Sequence, residues 1–340
     1  MATVSDDNER IKQVESDGRR LRENDREAIN DDWPITERSP TVEGTCFAVD
    51  QEQETCRKSD SEELEYDEVD DLATAFNKHL SLEDHEDCTD EKRHKWKKEQ
   101  EELRNLLQQK DSDDVKTWAS DFSKLRYVAG VDISFEKENP KHACATLAVL
   151  SFPDLKVLVD CSEIVEMTEP YIAGFLAFRE VQHLFERLKD LEHHYPHLKP
   201  QVILVDGNGI LHPNGFGLAC HLGVLSNIPC IGVAKKLYLV DGLQNDSAHK
   251  DKIHSALKMK GDYFELIGNS GRVLATAVRT SDDATNPVYV SIGHKISLET
   301  ATRLTIACSK KRVPEPVRMA DLLSRRHLRE EKKSRWRQKY

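Results

Sequence analysis

The chain of 340 residues has room for one large domain or two small ones. Its charge is unevenly distributed: residues 1–90 hold 28 acidic and 10 basic side chains, a net charge of −18, whereas residues 91–340 carry a net charge of +6. The acidic balance therefore belongs to the first segment, and the mildly basic remainder is compatible with a polyanionic partner.

The cysteines and the apolar runs exclude several classes of protein. The eight cysteines are scattered and include no C-x-x-C pair, which argues against a zinc site or a disulfide framework and predicts a reducing compartment. No apolar run approaches the roughly 20 residues that a membrane span needs, and the N-terminus lacks a signal-peptide core. We therefore expect a monomer that does not bind membranes and is located in the cytoplasm, with the nucleus or nucleolus as further locations.

Residues 1–90 have the composition of a disordered segment. The stretch from Asp60 to Asp71 is nearly all acidic, and it cannot bury enough apolar surface to offset the entropy lost on ordering. A solvating tail is the favoured interpretation. A regulatory or partner-binding tail remains the alternative, because blocks of like charge often serve as interaction segments.

Order is predicted to begin near Arg93, where a charged segment with spaced tryptophan and leucine residues is typical of a surface helix. Three strand patterns follow, over Tyr127–Phe135, Cys144–Phe152 and Leu155–Ile164. The second and third flank the turn Pro153-Asp154, so the three runs predict an antiparallel meander.

The next four elements change the periodicity. Gly174–Leu191 has the apolar stripe of an amphipathic helix, and Gln201–Gly209 is a continuous apolar run typical of a strand buried on both faces. A helix over residues 217–226 and a strand over Ile228–Ala234 follow. The order β-β-β-α-β-α-β predicts an α/β fold of the ribonuclease H-like type: a mixed five-stranded sheet with flanking helices, in which the first and fourth strands are parallel neighbours. A doubly wound fold would instead begin with a parallel βαβ unit.

Residues 235–340 extend this domain. A hairpin is predicted to turn at Asn269-Ser270-Gly271, a strand covers Pro287–Ile296, and a helix starts at Ser297. We assign the folded catalytic domain to residues 91–327 and a basic C-terminal tail to residues 328–340. Such a tail is ordinarily a solvated helix face, but after a nuclease domain it also suits phosphate binding or a nuclear address.

Three carboxylates carry the candidate chemistry. Asp132 lies inside an apolar strand and Asp206 ends the neighbouring one, so the two would repel each other and lose hydration unless a cation compensates them. Glu180 is predicted to face the sheet while Arg179 faces water. Alone, Asp206 is more often a turn former and Glu180 a solvated helix edge, but the three together predict a Mg²⁺ site.

Five motifs resemble those of the endonuclease V family, in the family's order, between about Trp96 and His327. The motifs are VAGVDISF (128–135), PYIAGFLAFRE (170–180), ILVDGNGILHPNGFGLACHLGV (203–224), PCIGVAKKL (229–237) and VSIGHKISLETA (290–301). The resemblance implies a ribonuclease H-like fold and cleavage of nucleic acid near inosine in the presence of Mg²⁺ or Mn²⁺, with 5′-phosphate products.

The same resemblance implies roles for individual residues. Asp132, Glu180 and Asp206 would be the metal acids, and Lys235 and His294 would lie near the cleaved phosphate. The substrate-side residues would be Tyr171 as the wedge beside a flipped base, His212 in the following loop, and the pocket residues Leu176, Gly207, Gly209, Gly217 and Leu218. The chain departs from the family where Pro170-Tyr171-Ile172-Ala173 replaces a Pro-Tyr-Ile-Pro wedge, which disfavours a duplex DNA substrate.

Three functions are consistent with these observations. The first is an endoribonuclease for inosine-containing RNA, and the second is a DNA repair endonuclease for deoxyinosine. The third is a non-catalytic module that binds inosine-containing RNA, against which the three converging carboxylates argue, because without a metal they repel phosphate. The sequence leaves open whether one or two metal ions bind and whether His294 moves a proton or positions a water.

Overall fold

The computed structural model describes residues 45–48 and 86–339 of the chain. Most of the segment predicted to be disordered, residues 1–90, lies outside these ranges. Within it, residues 45–48 form a strand and residues 86–90 begin a helix.

The described part of the chain contains nine strands and seven α-helices. The strands are β1 Thr45–Ala48, β2 Tyr127–Glu136, β3 Asn139–Ser151, β4 Val157–Glu166, β5 Val202–Asp206, β6 Cys230–Ala234, β7 Tyr263–Ile267, β8 Val273–Val278 and β9 Val288–His294. The helices are α1 Glu86–Asn105, α2 Asp113–Lys116, α3 Leu176–His194, α4 Leu218–Ser226, α5 Ser247–Ala256, α6 Leu298–Ala307 and α7 Glu315–Lys339, of which α2 is a single turn.

The five predicted strands lie side by side in the order β4-β3-β2-β5-β6. The meander β2-β3-β4 is antiparallel, and β2 and β5 are parallel neighbours, with Val131 opposite Val205. The topology inferred from the apolar runs is therefore confirmed, and with it the mixed α/β fold of the ribonuclease H-like type.

The predicted number of five strands is wrong. The described residues form one sheet of nine strands, eight of which lie within residues 127–294, in the order β1-β4-β3-β2-β5-β6-β9-β8-β7. The predicted hairpin β7–β8 and the predicted strand β9 join the outer edge of β6, where β9 runs antiparallel. This addition satisfies backbone groups that β6 would otherwise leave open as an edge strand.

Helices cover both faces of the sheet. On one face α3 and α4 pack against strand residues such as Val131, Leu147 and Ile203. On the other face α6 and α7 pack against the alternate residues, such as Val128, Leu204 and Val233. Because strand side chains alternate between faces, Asp132 and Asp206 belong to the face that α7 covers.

Helix α7 is continuous from Glu315 to Lys339, so the predicted tail over residues 328–340 is helical through residue 339. It lies close against β2: a Cβ atom added at Gly130 would fall 1.9 Å from the carbonyl oxygen of Pro316. Only glycine permits this approach, which fixes the depth at which the first turn of α7 meets the sheet.

One disulfide departs from the expectation drawn from the scattered cysteines. Cys46 of β1 and Cys161 of β4 are register partners and are bonded to each other. Pairing between residues 115 apart depends on the sheet register and leaves no spacing signal in the sequence. Cys144, Cys220, Cys230 and Cys308 are buried free thiols, and none of the described helices has the length and apolarity to cross a membrane.

Candidate active site

Two neighbouring strands and one helix bring the predicted acids together. Because β2 and β5 are parallel with Val131 opposite Val205, Asp132 and Asp206 are the next positions of adjacent strands. Adjacent strands lie about 4.8 Å apart, so their side chains on one face are neighbours. The sequence-based placement of these two carboxylates on neighbouring strands is therefore confirmed.

Asp132 is buried and acts as an acceptor for two hydroxyl groups. The Oγ atoms of Ser324 and Ser134 donate to its Oδ2 at 2.8 and 3.1 Å. Burial raises the pKa of Asp132 to about 7, and the negative charges of Asp206 and Asp321 add to the rise. Its hydrogen bonds thus supply no formal positive charge.

Glu180 lies in the second turn of α3 and is 8 % exposed. Burial raises its pKa to about 8, with the charge of Arg179 opposing and those of Asp132 and Asp206 reinforcing the rise. The prediction that Glu180 faces the sheet agrees with this burial. Leu176, in the first turn of α3, is exposed.

Arg179 does not face water as predicted. Its side chain is buried, its Nη2 donates to the carbonyl oxygen of Pro140 at 2.8 Å, and its guanidinium lies over the ring of Phe135. The reason is the length of the β2–β3 hairpin, which extends past the acids and covers the helix position that periodicity alone would leave open to solvent.

Lys235 follows β6 directly and is the one cation among the predicted site residues that the structure places against an acid. Its Nζ lies 2.6 Å from Oδ2 of Asp206, in an ion pair whose partners are less than one-fifth exposed. The carbonyl oxygen of Lys235 accepts a hydrogen bond from Nη2 of Arg312, which holds the backbone after the strand. Lys235 thus compensates one acid of the cluster directly.

Asp321 is a fourth acid that the sequence analysis missed. It lies on α7, three residues before Ser324, is buried, and acts on the pKa of Asp132 through its charge. Arg325 lies 2.8 Å from its carboxylate. In the sequence it is one of many charged residues of a basic amphipathic helix. Only the packing of α7 over Gly130 brings it to the other acids.

The donor set suits a hard divalent cation. Within the described ranges, no three His, Cys, Asp or Glu side chains converge closely enough, as placed, to enclose an ion. The acids instead hold Lys235 and the two serines. Four carboxylates, of which Asp132 and Glu180 have pKa values raised by burial, nevertheless supply the oxygen ligands and the excess negative charge that Mg²⁺ or Mn²⁺ requires. The residues therefore fit such a cation.

The loop after Asp206 folds over β6 toward β9. The backbone N–H of Gly209 donates to Oγ of Ser291, and a Cβ atom added at Gly209 would lie 1.9 Å from the carbonyl oxygen of Ile292. This close backbone approach excludes other residues at position 209. The loop ends at Gly217, after which Leu218 begins α4 and packs beside Gly207.

His212 and Tyr171 are half-buried residues of two loops near the acids. Burial lowers the pKa of His212 to about 4, so its ring is neutral near pH 7, and its Nδ1 accepts from the backbone N–H of Asn214. The His212 ring lies 5.8 Å from that of Tyr238. Tyr171 lies in the loop between β4 and α3, five residues before the helix that carries Glu180.

His294 lies away from the carboxylates. It is the last residue of β9 and pairs with Cys230, whereas Tyr289, near the start of β9, pairs with Ala234 beside Lys235. Since Lys235 is five residues from Cys230, about 16 Å separate the level of His294 from that of Lys235. The prediction that His294 lies near the cleaved phosphate conflicts with this antiparallel register. Its Nδ1 accepts from the backbone N–H of Gln108, and burial lowers its pKa to about 4.

Comparisons with known proteins agree with this architecture. The family model for endonuclease V matches residues 107–322. Human endonuclease V is 52 % identical over 236 residues, which cover 69 % of this chain and 82 % of that protein. The mouse protein is 53 % identical over the same length, covering 69 % of each chain.

Solved structures give the same result. The catalytic domain of human endonuclease V superposes with a TM-score of 0.69 at 51 % identity, covering 71 % of this chain and 97 % of that one. Endonuclease V of Ciona intestinalis, solved with a 24mer DNA containing an inosine followed by a ribo-adenosine, gives a TM-score of 0.65 at 38 % identity, covering 71 % and 99 %. With the family model matching more than half of its length, this chain belongs to the endonuclease V family of nucleases.

Proposed function

We propose that the protein is a divalent-cation-dependent endonuclease that hydrolyses a phosphodiester bond near inosine, with single-stranded RNA as the substrate and a 5′-phosphate on the product. The observation that carries this proposal is the cluster of four buried or half-buried carboxylates, Asp132, Glu180, Asp206 and Asp321, with Lys235 at its edge. A module that only binds nucleic acid gains nothing from such a cluster, because carboxylates repel phosphate.

Asp132, Glu180 and Asp206 would hold Mg²⁺, for which Mn²⁺ can substitute, and Asp321 would supply a further oxygen. When bound, such a cation lowers the pKa of a water molecule and neutralises charge on the scissile phosphate. Lys235, already positioned against Asp206, would stabilise the negative charge that develops on the phosphate. The hydroxyl groups of Ser134 and Ser324 would orient Asp132 from the opposite side.

Substrate recognition would use the two loops that flank the acids. A flipped base needs a pocket, which the close-packed loop of Gly207, Gly209 and Gly217 with Leu218 would form, and a side chain to fill the gap it leaves. Tyr171 would fill that gap. The Ciona intestinalis relative was solved with DNA that contains inosine, which supports inosine as the recognised base.

RNA is favoured by two observations. The nucleotide after inosine in that relative's ligand is a ribo-adenosine, which suits an enzyme that senses a 2′-hydroxyl beside the cut. The Pro-Tyr-Ile-Ala sequence at residues 170–173 also lacks the second proline that would stiffen a strand-separating wedge. The remaining nucleotides of the same ligand are DNA, which keeps deoxyinosine-containing DNA as the second candidate.

The test uses matched RNA and DNA oligonucleotides, each with one inosine or with guanosine at that position, with Mg²⁺, with Mn²⁺ and with a chelator. We expect cleavage of the inosine RNA with either cation, a 5′-phosphate on the product, and no cleavage in chelator. Faster cleavage of the DNA would reverse the order of the two candidates. Tight binding of inosine RNA without any cutting would instead favour the non-catalytic module.

Substituting Tyr171 tests the recognition step. Base–aromatic stacking is worth about 1–3 kcal/mol, so Tyr171→Ala is expected to slow cleavage at inosine roughly 5- to 150-fold while leaving the Mg²⁺ dependence unchanged. Tyr171→Phe should retain most of the activity, and Tyr263→Ala, an exposed tyrosine on β7, should retain all of it. Equal losses on inosine and guanosine substrates would reduce Tyr171 to a packing residue.

A further inference from the structure

The C-terminal half of α7 carries a row of exposed side chains that starts at the active-site acid. Successive residues of an α-helix are rotated by 100°, so Arg325, Arg329 and Lys333 follow Asp321 at steps of four and drift slowly around the helix. Trp336 falls between the first two of them in rotation and is 65 % exposed. We call Arg325, Arg329, Lys333 and Trp336 the basic ridge.

The neighbouring basic residues of α7 have a different task. Arg326 pairs with Asp160 of β4, and Lys332 and Arg335 pair with Glu136 and Glu138 at the β2–β3 hairpin. These ion pairs hold the helix against the sheet and the hairpin. In rotation about the helix axis, Lys332 and Arg326 lie on either side of the basic ridge and flank it.

Two members of the basic ridge, Arg329 and Lys333, keep their charge available, whereas Arg325 is paired with Asp321. Among described residues, Arg329 and Lys333 have no acidic partner, and both are exposed. Glu331 is committed to His142 and Arg335, and Glu330 lies further around the helix than the ridge. The outer side of α7 therefore presents positive charge interrupted by no acid beyond Asp321.

We infer that the basic ridge binds the backbone of the same nucleic-acid strand that is cut, beyond the scissile phosphate, and that Trp336 stacks on one of its unpaired bases. This inference rests on the proposed function. The 15 residues from Asp321 to Trp336 span about 22 Å, long enough to lie along several successive phosphates of one strand. A line of cations with an interleaved aromatic ring is how single-stranded nucleic acid is bound without regard to sequence.

The experiment compares substrate lengths. Single-stranded inosine RNA is offered either as a short oligonucleotide that ends close to the cut or with long extensions on its 5′ or its 3′ side. For Arg329→Ala/Lys333→Ala we expect KM to rise on the long substrate and kcat to stay unchanged, with no change on the short one. The slope of log KM against log salt should fall by about 1.4, since each single-strand phosphate contact contributes about 0.7.

A second variant tests the stacking contact. Trp336→Ala is expected to raise KM on the long RNA roughly 5-fold or more, the lower end of what one stacked base contributes. A long substrate whose extension carries abasic sugars should not distinguish this variant from the wild type. An equal response to intact and abasic extensions would overturn the stacking contact.

The matched control is Lys124→Ala/Lys156→Ala. Both lysines are exposed and lie at the turns where β2 begins and β3 ends, five strand residues from Asp132. Substituting them should change neither KM nor the salt slope on long RNA. Equal effects on short and long substrates, or an effect of the control pair as large as that of the ridge pair, would overturn the inference. Failure of the wild type to cut any inosine substrate would instead overturn the proposed function.

Discussion

Two buried aspartates on one face of the sheet have opposite surroundings. Asp160 of β4 is buried and accepts hydrogen bonds from Ser162 and, at 3.0 Å each, from Arg326 and His327 of α7. Asp132 of β2, also buried, accepts only from two serine hydroxyls and has Asp206 and Asp321 as charged neighbours. One carboxylate is hydrogen-bonded to basic side chains, whereas the other is not, and the charge of Lys235 acts on it only through space.

The difference separates a structural acid from a functional one. A buried charge is costly unless it is paired, so an uncompensated carboxylate persists only where something outside the chain pairs with it or where its charge is used. Asp160 uses its charge to hold α7 on the sheet, which places Asp321 and Ser324. Under the proposed function a cation compensates Asp132, and burial alone does not distinguish the two aspartates.

The largest difference between variants of Asp132 and variants of Asp160 is expected in the cleavage rate. Asp132→Asn and Asp206→Asn should each lower the cleavage rate at least about 1000-fold, since metal stabilisation of the transition state is worth several kcal/mol, while leaving Tm unchanged or raised because a repulsion is relieved. Asp160→Asn should keep cleavage within about tenfold of wild type. The measurement is single-turnover cleavage at saturating Mg²⁺ beside thermal unfolding, and near wild-type cutting by Asp132→Asn would show that the metal site is misassigned.

The next contrast is in the response to the cation itself. At a Mg²⁺ concentration 100 times its Kd, binding stabilises the folded state by about 2.7 kcal/mol, which is roughly 5–10 °C in Tm for a domain of this size. Wild type and Asp160→Asn should both show this shift, and Asp132→Asn should lose most of it. A shift retained in Asp132→Asn would mean that the cation binds elsewhere.

Asp160 should matter more for stability than for chemistry. Asp160→Asn weakens the hydrogen bonds from Arg326 and His327 and is expected to lower the free energy of unfolding by about 1–3 kcal/mol. The value stays below that of a fully buried ion pair because the Arg326 side chain is half exposed and can return to water. Urea unfolding measures the change, and Arg325→Ala serves as a control on the same helix that leaves Asp160 intact.

The smallest expected contrast is in the pH dependence of stability without a cation. Burial raises the pKa values of Asp132 and Glu180 to about 7 and about 8, above their unfolded values of 3.8 and 4.5. The folded state then holds protons that the unfolded state releases. The contribution of these two acids to stability is therefore fully present below about pH 4 and falls as pH rises to about 8. Between pH 6.5 and 7.5 the loss is at most about 1.4 kcal/mol per linked proton.

Between pH 6.5 and 7.5 the stability contribution of the two acids changes with pH, whereas that of the histidines does not. Burial lowers the pKa values of His212 and His294 to about 4, so their contribution to stability rises between pH 4 and 6.5 and is constant above it. Asp132→Asn should therefore flatten the profile between pH 6.5 and 7.5, as should saturating Mg²⁺, and Asp160→Asn should not. An unchanged slope in Asp132→Asn would show that its carboxyl does not titrate there.

The sequence was sufficient to predict features that depend on the residue pattern within a single strand or helix. Apolar runs placed Asp132 and Asp206 on neighbouring strands, and the helical stripe placed Glu180 above them. It was insufficient for features set by register and depth. The distance of His294 from the acids depends on how β9 pairs with β6. The position of Asp321 beside the other acids depends on how closely α7 approaches Gly130. Neither long-range contact has a pattern that periodicity can detect.

Because α7 is continuous, binding at its outer turns is coupled to the position of Asp321 in the active site. A helix of 25 residues is stiff along its axis, and its ends cannot be displaced independently. The helix therefore moves as one rigid body that contacts the sheet at Gly130 and at Asp160. A shift of the turns that carry Arg329 and Trp336 also shifts the turn that carries Asp321. Nucleic acid bound at the basic ridge would in this way influence the position of Asp321. Because an error of 1 Å in catalytic geometry can cost 100-fold in rate, the anchoring pairs along this helix set the reaction geometry from a distance.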